Sequence, residues 1–463
     1  MTVTKAATRP KEKMVRSFRP YLSLAALAMV CQPLAAAAQS RVWTRSWQAV
    51  PMERPGLRPP PPPPPAQAGQ PAPPAQAGQL APPAQAGQPV APGQPTSPAP
   101  QPQPQQGVPA PTSDVTYRMV AHLSAGGSTL RLRLSNETGT DPRPIGAVHV
   151  GLAGPNGEVL AGSDRVVTFD GDASPVIPAG APMVSDPVAL KTGPLANVVV
   201  SIHVPGDTLS LSVHALGVAT TQIAPGDQTA AASFPPGGPT NTMRVLLTGI
   251  DVSGGPATAT IVTLGDSITD GAQSSRDTNN RWPDILAARL ARAGKTGFAV
   301  ANAGISGNRL LNTGSGPAAL ARFDRDVLSV PGVRYVVILE GINDIGSATR
   351  AKTALPTVAD ITGAYRQMIA RARDRGVKVI GATVLPYKGA GYYSPEGDAV
   401  RVAVNAWIRT PGNVDGVIDF DKAVADKADP LRMAKAYDSG DALHPGDAGY
   451  RAMGESIDLN LFR

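Results

Sequence analysis

The chain has 463 residues, enough for two or three domains with cores of their own, but its 49 prolines are too many for globular sequence throughout. The formal charge of +7 does not mark a polyanionic partner: residues 1–38 hold Lys5, Arg9, Lys11, Lys13, Arg16 and Arg19 against Glu12 alone, and removing that +5 leaves +2. Nothing therefore points to nucleic acid, and because the only cysteine, Cys31, lies in the same segment, its removal excludes disulfides, thiolate metal ligands and a cysteine nucleophile.

Residues 1–38 read as a secretory signal, with a basic start, an apolar run from Tyr21 to Val30, and small residues Ala35 to Ala38 before a cleavage site after Ala38. The run is shorter than the ~20 residues a spanning helix needs. Met14 is an alternative start. The mature protein is expected to be secreted or periplasmic. Residues 39–113 read as a disordered linker: from Pro55 onward the chain is Pro, Ala, Gln and Gly, with AQAGQ recurring at 66, 75 and 84. Such a tract buries no core and acts as a semi-rigid spacer.

Residues 114–255 alternate apolar and polar positions, as in STLRLRLS (128–135) and TLSLSVH (208–214), between turn signals such as GPNGE at 154 and IPAGAP at 177. That pattern predicts half-buried strands in an antiparallel β-sandwich or jelly roll. From 256 to 463 the period changes. Apolar runs TIVTLGDS, FAVANAG, RYVVILEG, VKVIGATVL and VDGVIDFD alternate with amphipathic helices. In RWPDILAARLARAG, Ile285, Leu286 and Leu290 share a face that ends at Gly294; ADITGAYRQMIARARDRG places Ile361, Tyr365, Met368, Ile369 and Ala372 together and closes at Gly376. Strand and helix in alternation predict an α/β fold, a parallel sheet covered on both faces in three layers, with ligands bound beyond the strands' carboxyl ends.

Every notable polar cluster lies at that edge: Gly265-Asp266-Ser267, then GISGN with Gly307, then Gly341-Ile342-Asn343-Asp344, and finally SGDALHPGDAGY with Asp441 and His444. Of five histidines, His122, His149, His203 and His214 fall in the β-rich region, so His444 is the only imidazole available to the α/β region. A serine hydroxyl is a weak nucleophile and needs a base within about 3 Å. Asp441, three residues before His444, can fix its tautomer, and Pro445 suits a helix start. Candidate donors to a developing oxyanion are the N–H groups of Ser267 and Gly307 and the side-chain amide of Asn343. Asp266, Asp270 and Asp344 are better taken as loop-bracing acceptors than as metal ligands. Trp282, Tyr387, Tyr392, Tyr393 and Trp407 offer aromatic surface, and YKGAGYYSPEGD (387–398) reads equally as a pocket wall or as a surface loop.

GDSITDG around Ser267, GISGN with Gly307, GIND with Asn343, and DALH with Asp441 and His444 together resemble the SGNH hydrolases, also called GDSL esterases and lipases. The resemblance covers roughly 200 residues. It implies a flavodoxin-like α/β/α domain and ester hydrolysis with no cofactor or metal, in which Ser267 is the nucleophile, His444 the base and Asp441 its orienting acid. Ser267, Gly307 and Asn343 would form the oxyanion hole. The family often has Leu after the serine, where Ile268 stands here. The strand-rich region is similar to an accessory domain of some secreted members; with only Tyr117, Phe169 and Phe234 as aromatics it shows no stacked sugar platform. Expected substrates are small esters or acylated carbohydrates, short-chain acyl groups first, with cell-envelope or polysaccharide contact through the β domain. An O-acetyltransferase, a lipase or lysophospholipase, and a cell-envelope binding protein remain alternatives.

Overall fold

The computed structural model describes residues 41–54 and 112–463. The expected signal at 1–38 and most of the expected linker lie outside the described residues.

Five strands, β1 (Ala259–Gly265), β2 (Phe298–Gly304), β3 (Val333–Leu339), β4 (Lys378–Ala382) and β5 (Gly416–Ile418), pair in parallel in the order β2-β1-β3-β4-β5. This is the flavodoxin-like order, in which the chain reverses direction of growth beside β1. The strands are apolar on both faces because both faces are covered. Val262, Leu264, Val336 and Ile338 pack against Ile361, Tyr365, Met368 and Ile369 in one layer. Their neighbours Ile261, Val337 and Leu339 pack against Trp282, Leu286, Leu290, Tyr450 and Met453 in the other.

The covering helices form where periodicity and caps agree. Among them, α1 (Ser267–Asp270) is a single turn, followed by α2 (Trp282–Arg292), α3 (Ile342–Ala351), α4 (Val358–Asp374), α5 (Pro395–Arg409) and α6 (Asp447–Ser456). Thr357 and Asp360 close a capping box at the start of α4. The predicted apolar face of α4 is buried in full, whereas Ile285 of α2 is only half-buried and Trp282 and Ala287 join the core instead. The last helix starts at Asp447, behind Gly446, and not at Pro445.

The β-rich region is built of antiparallel sheets. A six-stranded sheet contains Ser113–His122 between Asn197–Asp207 and Thr221–Pro225, with Ala147–Leu152 beyond. A four-stranded sheet orders Thr44–Gln48, Leu247–Ser253, Thr129–Ser135 and Pro182–Val184. Leu130, Leu132 and Leu134 from one meet Tyr117, Met119, Val200 and Ile202 from the other in a shared core.

Two expectations need correction. Thr44–Gln48, within the expected linker, is a buried strand paired with Leu247–Ser253. Its Arg45 donates to the fully buried Asp251, which also receives Arg131 and Arg133 at 2.9 Å each. The alternation at 208–214 yields only the two-residue strand Val213–His214. There the Asp207 carboxylate accepts from the Leu209 N–H at 3.2 Å and turns the chain, leaving Leu209 exposed.

The change of pattern near residue 255 is a change of architecture and not a break between bodies. Ser124 Oγ, in the β-rich part, donates to the Val300 carbonyl of β2 at 2.8 Å, and the Arg45 N–H donates to Thr260 Oγ1 of β1 at 3.1 Å. The described residues from Val42 onward form one compact unit.

Candidate active site

At the carboxyl end of β1 the chain must turn sharply. Asp266 supplies the cap, its carboxylate accepting the Ile268 N–H at 2.9 Å, and Gly271 ends the turn with φ 102°. Ser267 is therefore the first helical residue and its hydroxyl is not needed for capping. Ser267 Oγ instead stands 2.8 Å from His444 Nε2.

His444 is held by the turn that contains it. Asp441 Oδ1 accepts the backbone N–H groups of Leu443 and His444 at 2.9 and 2.8 Å, and Asp441 Oδ2 accepts from His444 Nδ1 at 2.6 Å. A proton on Nδ1 leaves Nε2 as the acceptor for the serine hydroxyl. Partial burial opposes the charge of Asp441, but the side-chain and backbone bonds to His444 outweigh it and hold the carboxyl at about 2.

The three candidate oxyanion donors come from three strand ends. Among the described residues, the N–H groups of Ser267 and Gly307 have no hydrogen-bond acceptor. Gly307 has φ 76°, a left-handed conformation that favours glycine, and a Cβ there would lie 2.7 Å from the rotatable Ser315 Oγ. Asn343, in the first turn of α3, donates one amide hydrogen to the Asn308 carbonyl at 3.0 Å. Its second hydrogen remains for a ligand. The Tyr392 hydroxyl approaches Asn343 Oδ1 at 3.5 Å, on the side that fixes the amide orientation.

The neighbouring acids brace loops. Asp270 Oδ2 accepts the Ser306 N–H at 2.9 Å, and Asp344 accepts the N–H groups of Leu310 and Leu311 at 2.7 and 2.9 Å. Burial raises the carboxyls of Asp266 and Asp344 above the ordinary range, against their backbone bonds. Among the described residues no group of three His, Cys, Asp or Glu is placed to hold a metal ion.

Sequence reasoning missed Arg322. It is buried beneath the site and donates to Asn308 Oδ1 (2.9 Å) and to the carbonyls of Ala303 (2.7 Å) and Gly265 (3.0 Å), tying the ends of β1 and β2 to the GISGN loop. The signal available was an arginine on an otherwise apolar helical face, four residues before Asp326, with which it pairs at 3.1 Å. The expected aromatic surface is also corrected. Trp282 and Tyr387 are core residues, the first packed edge-on against Phe420, and within the 387–398 loop Tyr392 borders Asn343. A cleft of about 400 Å³ opens beside the GISGN loop, lined by Ser306 and Ser315 on one side and by Met52, Arg54, Thr138 and Ala215 of the β-rich part on the other.

Residues 263–452 match the family described as GDSL-like lipase/acylhydrolase. No curated protein matches the chain. Solved structures to which it is similar include a GDSL-like lipase from Bacteroides thetaiotaomicron, 20% identical with a TM-score of 0.33, the match covering 44% of this chain and 88% of that one. An acetyl xylan esterase is 22% identical with a TM-score of 0.35, covering 42% of this chain and 96% of that one. A variant of an acetyl-xylooligosaccharide esterase from Geobacillus is 19% identical with a TM-score of 0.34, covering 45% and 95%.

Proposed function

With residues 263–452 as a domain of the GDSL-like lipase/acylhydrolase family, which makes the protein a carboxylic ester hydrolase, we propose that Ser267 is its nucleophile, His444 its base and Asp441 the acid that orients the base. The observation that carries this reading is the continuous line from Ser267 Oγ to His444 Nε2 at 2.8 Å and from His444 Nδ1 to Asp441 Oδ2 at 2.6 Å.

Ser267 Oγ attacks the ester carbonyl as His444 Nε2 takes its proton, and Asp441 stabilises the imidazolium. The tetrahedral oxyanion is received by the N–H groups of Ser267 and Gly307 and the Asn343 amide. Collapse breaks the bond to the alcohol oxygen, which leaves with the proton from His444. Water then attacks the acyl-serine as His444 takes its proton, and collapse breaks the acyl–Oγ bond, returns that proton to Ser267 Oγ and releases the acid.

The acyl group is short, acetyl first, and the alcohol is polar, such as a carbohydrate hydroxyl. Support comes from the cleft beside the GISGN loop, whose walls carry Arg54, Ser306, Ser315 and Arg325. The β-rich part would then shape the alcohol side of the substrate, in the role of an accessory β-sandwich. The basic and then apolar start of the chain supports action outside the cytoplasm. The test is hydrolysis of p-nitrophenyl esters from acetate to laurate beside acetylated xylan, with and without a free oligosaccharide. Fastest turnover of acetate without an acceptor is expected; an obligatory acceptor would make the protein an acyltransferase, and preference for laurate would make it a lipase.

A further inference from the structure

His214 belongs to the β-rich part, in the strand Val213–His214, yet its ring reaches the turn that carries Ser267. Its Nε2 lies 2.8 Å from Asp270 Oδ1 and its Nδ1 3.1 Å from the Val50 carbonyl. Both partners are acceptors, so each ring nitrogen carries a hydrogen and the imidazole is charged. The pair is sealed from solvent, with side chains 7% and 3% exposed.

Asp270 is the last residue of α1, three beyond the nucleophile. One of its oxygens serves His214 and the other accepts the Ser306 N–H at 2.9 Å, immediately before Gly307. We propose that His214 is a positioning residue for the oxyanion loop, acting through Asp270 on the Ser306 N–H. The inference rests on the reading of Gly307 as an oxyanion donor. Removing His214 leaves a buried carboxylate oxygen with no donor, and the carboxylate is then free to rotate away from the Ser306 N–H instead of holding the loop. The β-rich part thus sets the geometry of the reaction.

The interaction depends on pH. Burial opposes a charge on His214, while Asp270 and the Val50 carbonyl favour it more strongly, so its pKa is raised above the ordinary value. The other groups facing it are Arg281, itself paired with Asp284, Arg244 across the strand pair, and His122 on the wall of the same small cavity. Asp277 faces Arg244 in turn. A raised histidine pKa means that the stabilising charge is complete at low pH and lost as pH rises through that value.

The experiment compares His214→Ala and His214→Gln with the parent and with Ser267→Ala, measuring kcat and KM on p-nitrophenyl acetate from pH 5 to 10, thermal midpoints, and hydrogen exchange over residues 300–310. His214→Ala should lose roughly tenfold to a hundredfold in kcat, short of the ~10²–10³ for deleting an oxyanion donor outright, with KM within about twofold. His214→Gln, which keeps one N–H toward Asp270, should recover part of that loss and lack the parent's fall in kcat at high pH. Both should speed exchange in the 300–310 segment. If His214→Ala does not fold, His214→Gln alone decides. Parental kcat, pH profile and exchange in a folded His214 variant, with activity lost in Ser267→Ala, overturn the positioning role and leave the esterase reading standing. Activity retained in Ser267→Ala overturns both.

Discussion

Ser267 Oγ and His444 Nε2 are 2.8 Å apart across 177 residues of sequence, one at the end of the first parallel strand and the other on the turn before the last helix. That contact is made without strain on the serine's neighbourhood, because Asp266 takes over the capping of α1 and frees the hydroxyl.

The acid side of the pH profile follows from which carboxyl titrates. Asp441, held at about 2, loses its stabilising role only as pH falls from its unfolded value of ~3.9 through about 2, so it stays ionised at any practical assay pH. Asp441 should therefore contribute no fall in activity above pH 5. Asp441→Asn should lower kcat roughly 10³- to 10⁴-fold, since an amide no longer fixes the Nδ1 proton. A fall in rate above pH 5 that Asp441→Asn abolishes, or an Asn variant near parental rate, contradicts this, and steady-state kinetics measures both.

Asn343→Ala removes one proposed oxyanion donor together with the amide that donates to the carbonyl of the buried Asn308. The expected cost is roughly 10²–10³ in kcat with little change in KM. An equal loss appearing in KM would assign Asn343 to substrate binding instead.

Gly346→Ala tests the support of that amide. A Cβ on Gly346 would fall within 2.5–2.7 Å of three atoms of the Tyr392 ring, which is too buried to swing aside. Overpacking of this kind costs about 1–3 kcal/mol, so the thermal midpoint should drop, and kcat should fall with it as Tyr392 leaves Asn343. Unchanged midpoint and kcat would mean that the loop yields freely.

Deleting residues 42–54 should destabilise the folded protein, whereas trimming the chain only to residue 41 should not. The deletion removes Trp47 from the core and leaves Asp251 with two arginines in place of three, and it bares an edge of Leu247–Ser253. Loss of Trp47 alone is worth about 3–5 kcal/mol. Thermal or urea unfolding of the two truncations measures the difference.

The parallel sheet was legible because its strands are apolar on both faces and break at Gly, as Phe298–Gly304 does residue for residue. The geometry of the candidate site was legible because His444 follows Asp441 by three positions, a spacing that closes a hydrogen-bonded turn. Thr44–Gln48 was not legible. TRSWQ has one large apolar residue and borders a proline tract, and its partner strand lies some two hundred residues away. TLSLSVH misled for the opposite reason, since its alternation is real but an Asx turn at Asp207 takes the backbone out of the sheet. His214 and Tyr392 make tertiary contacts with residues 56 and 49 positions away, which no local pattern encodes.

The most direct measurement is kcat/KM of purified Ser267→Ala on p-nitrophenyl acetate, with folding checked by its thermal midpoint. A loss of roughly 10⁴- to 10⁶-fold at an unchanged midpoint is the predicted result; a folded variant with parental activity would contradict a serine nucleophile at this position.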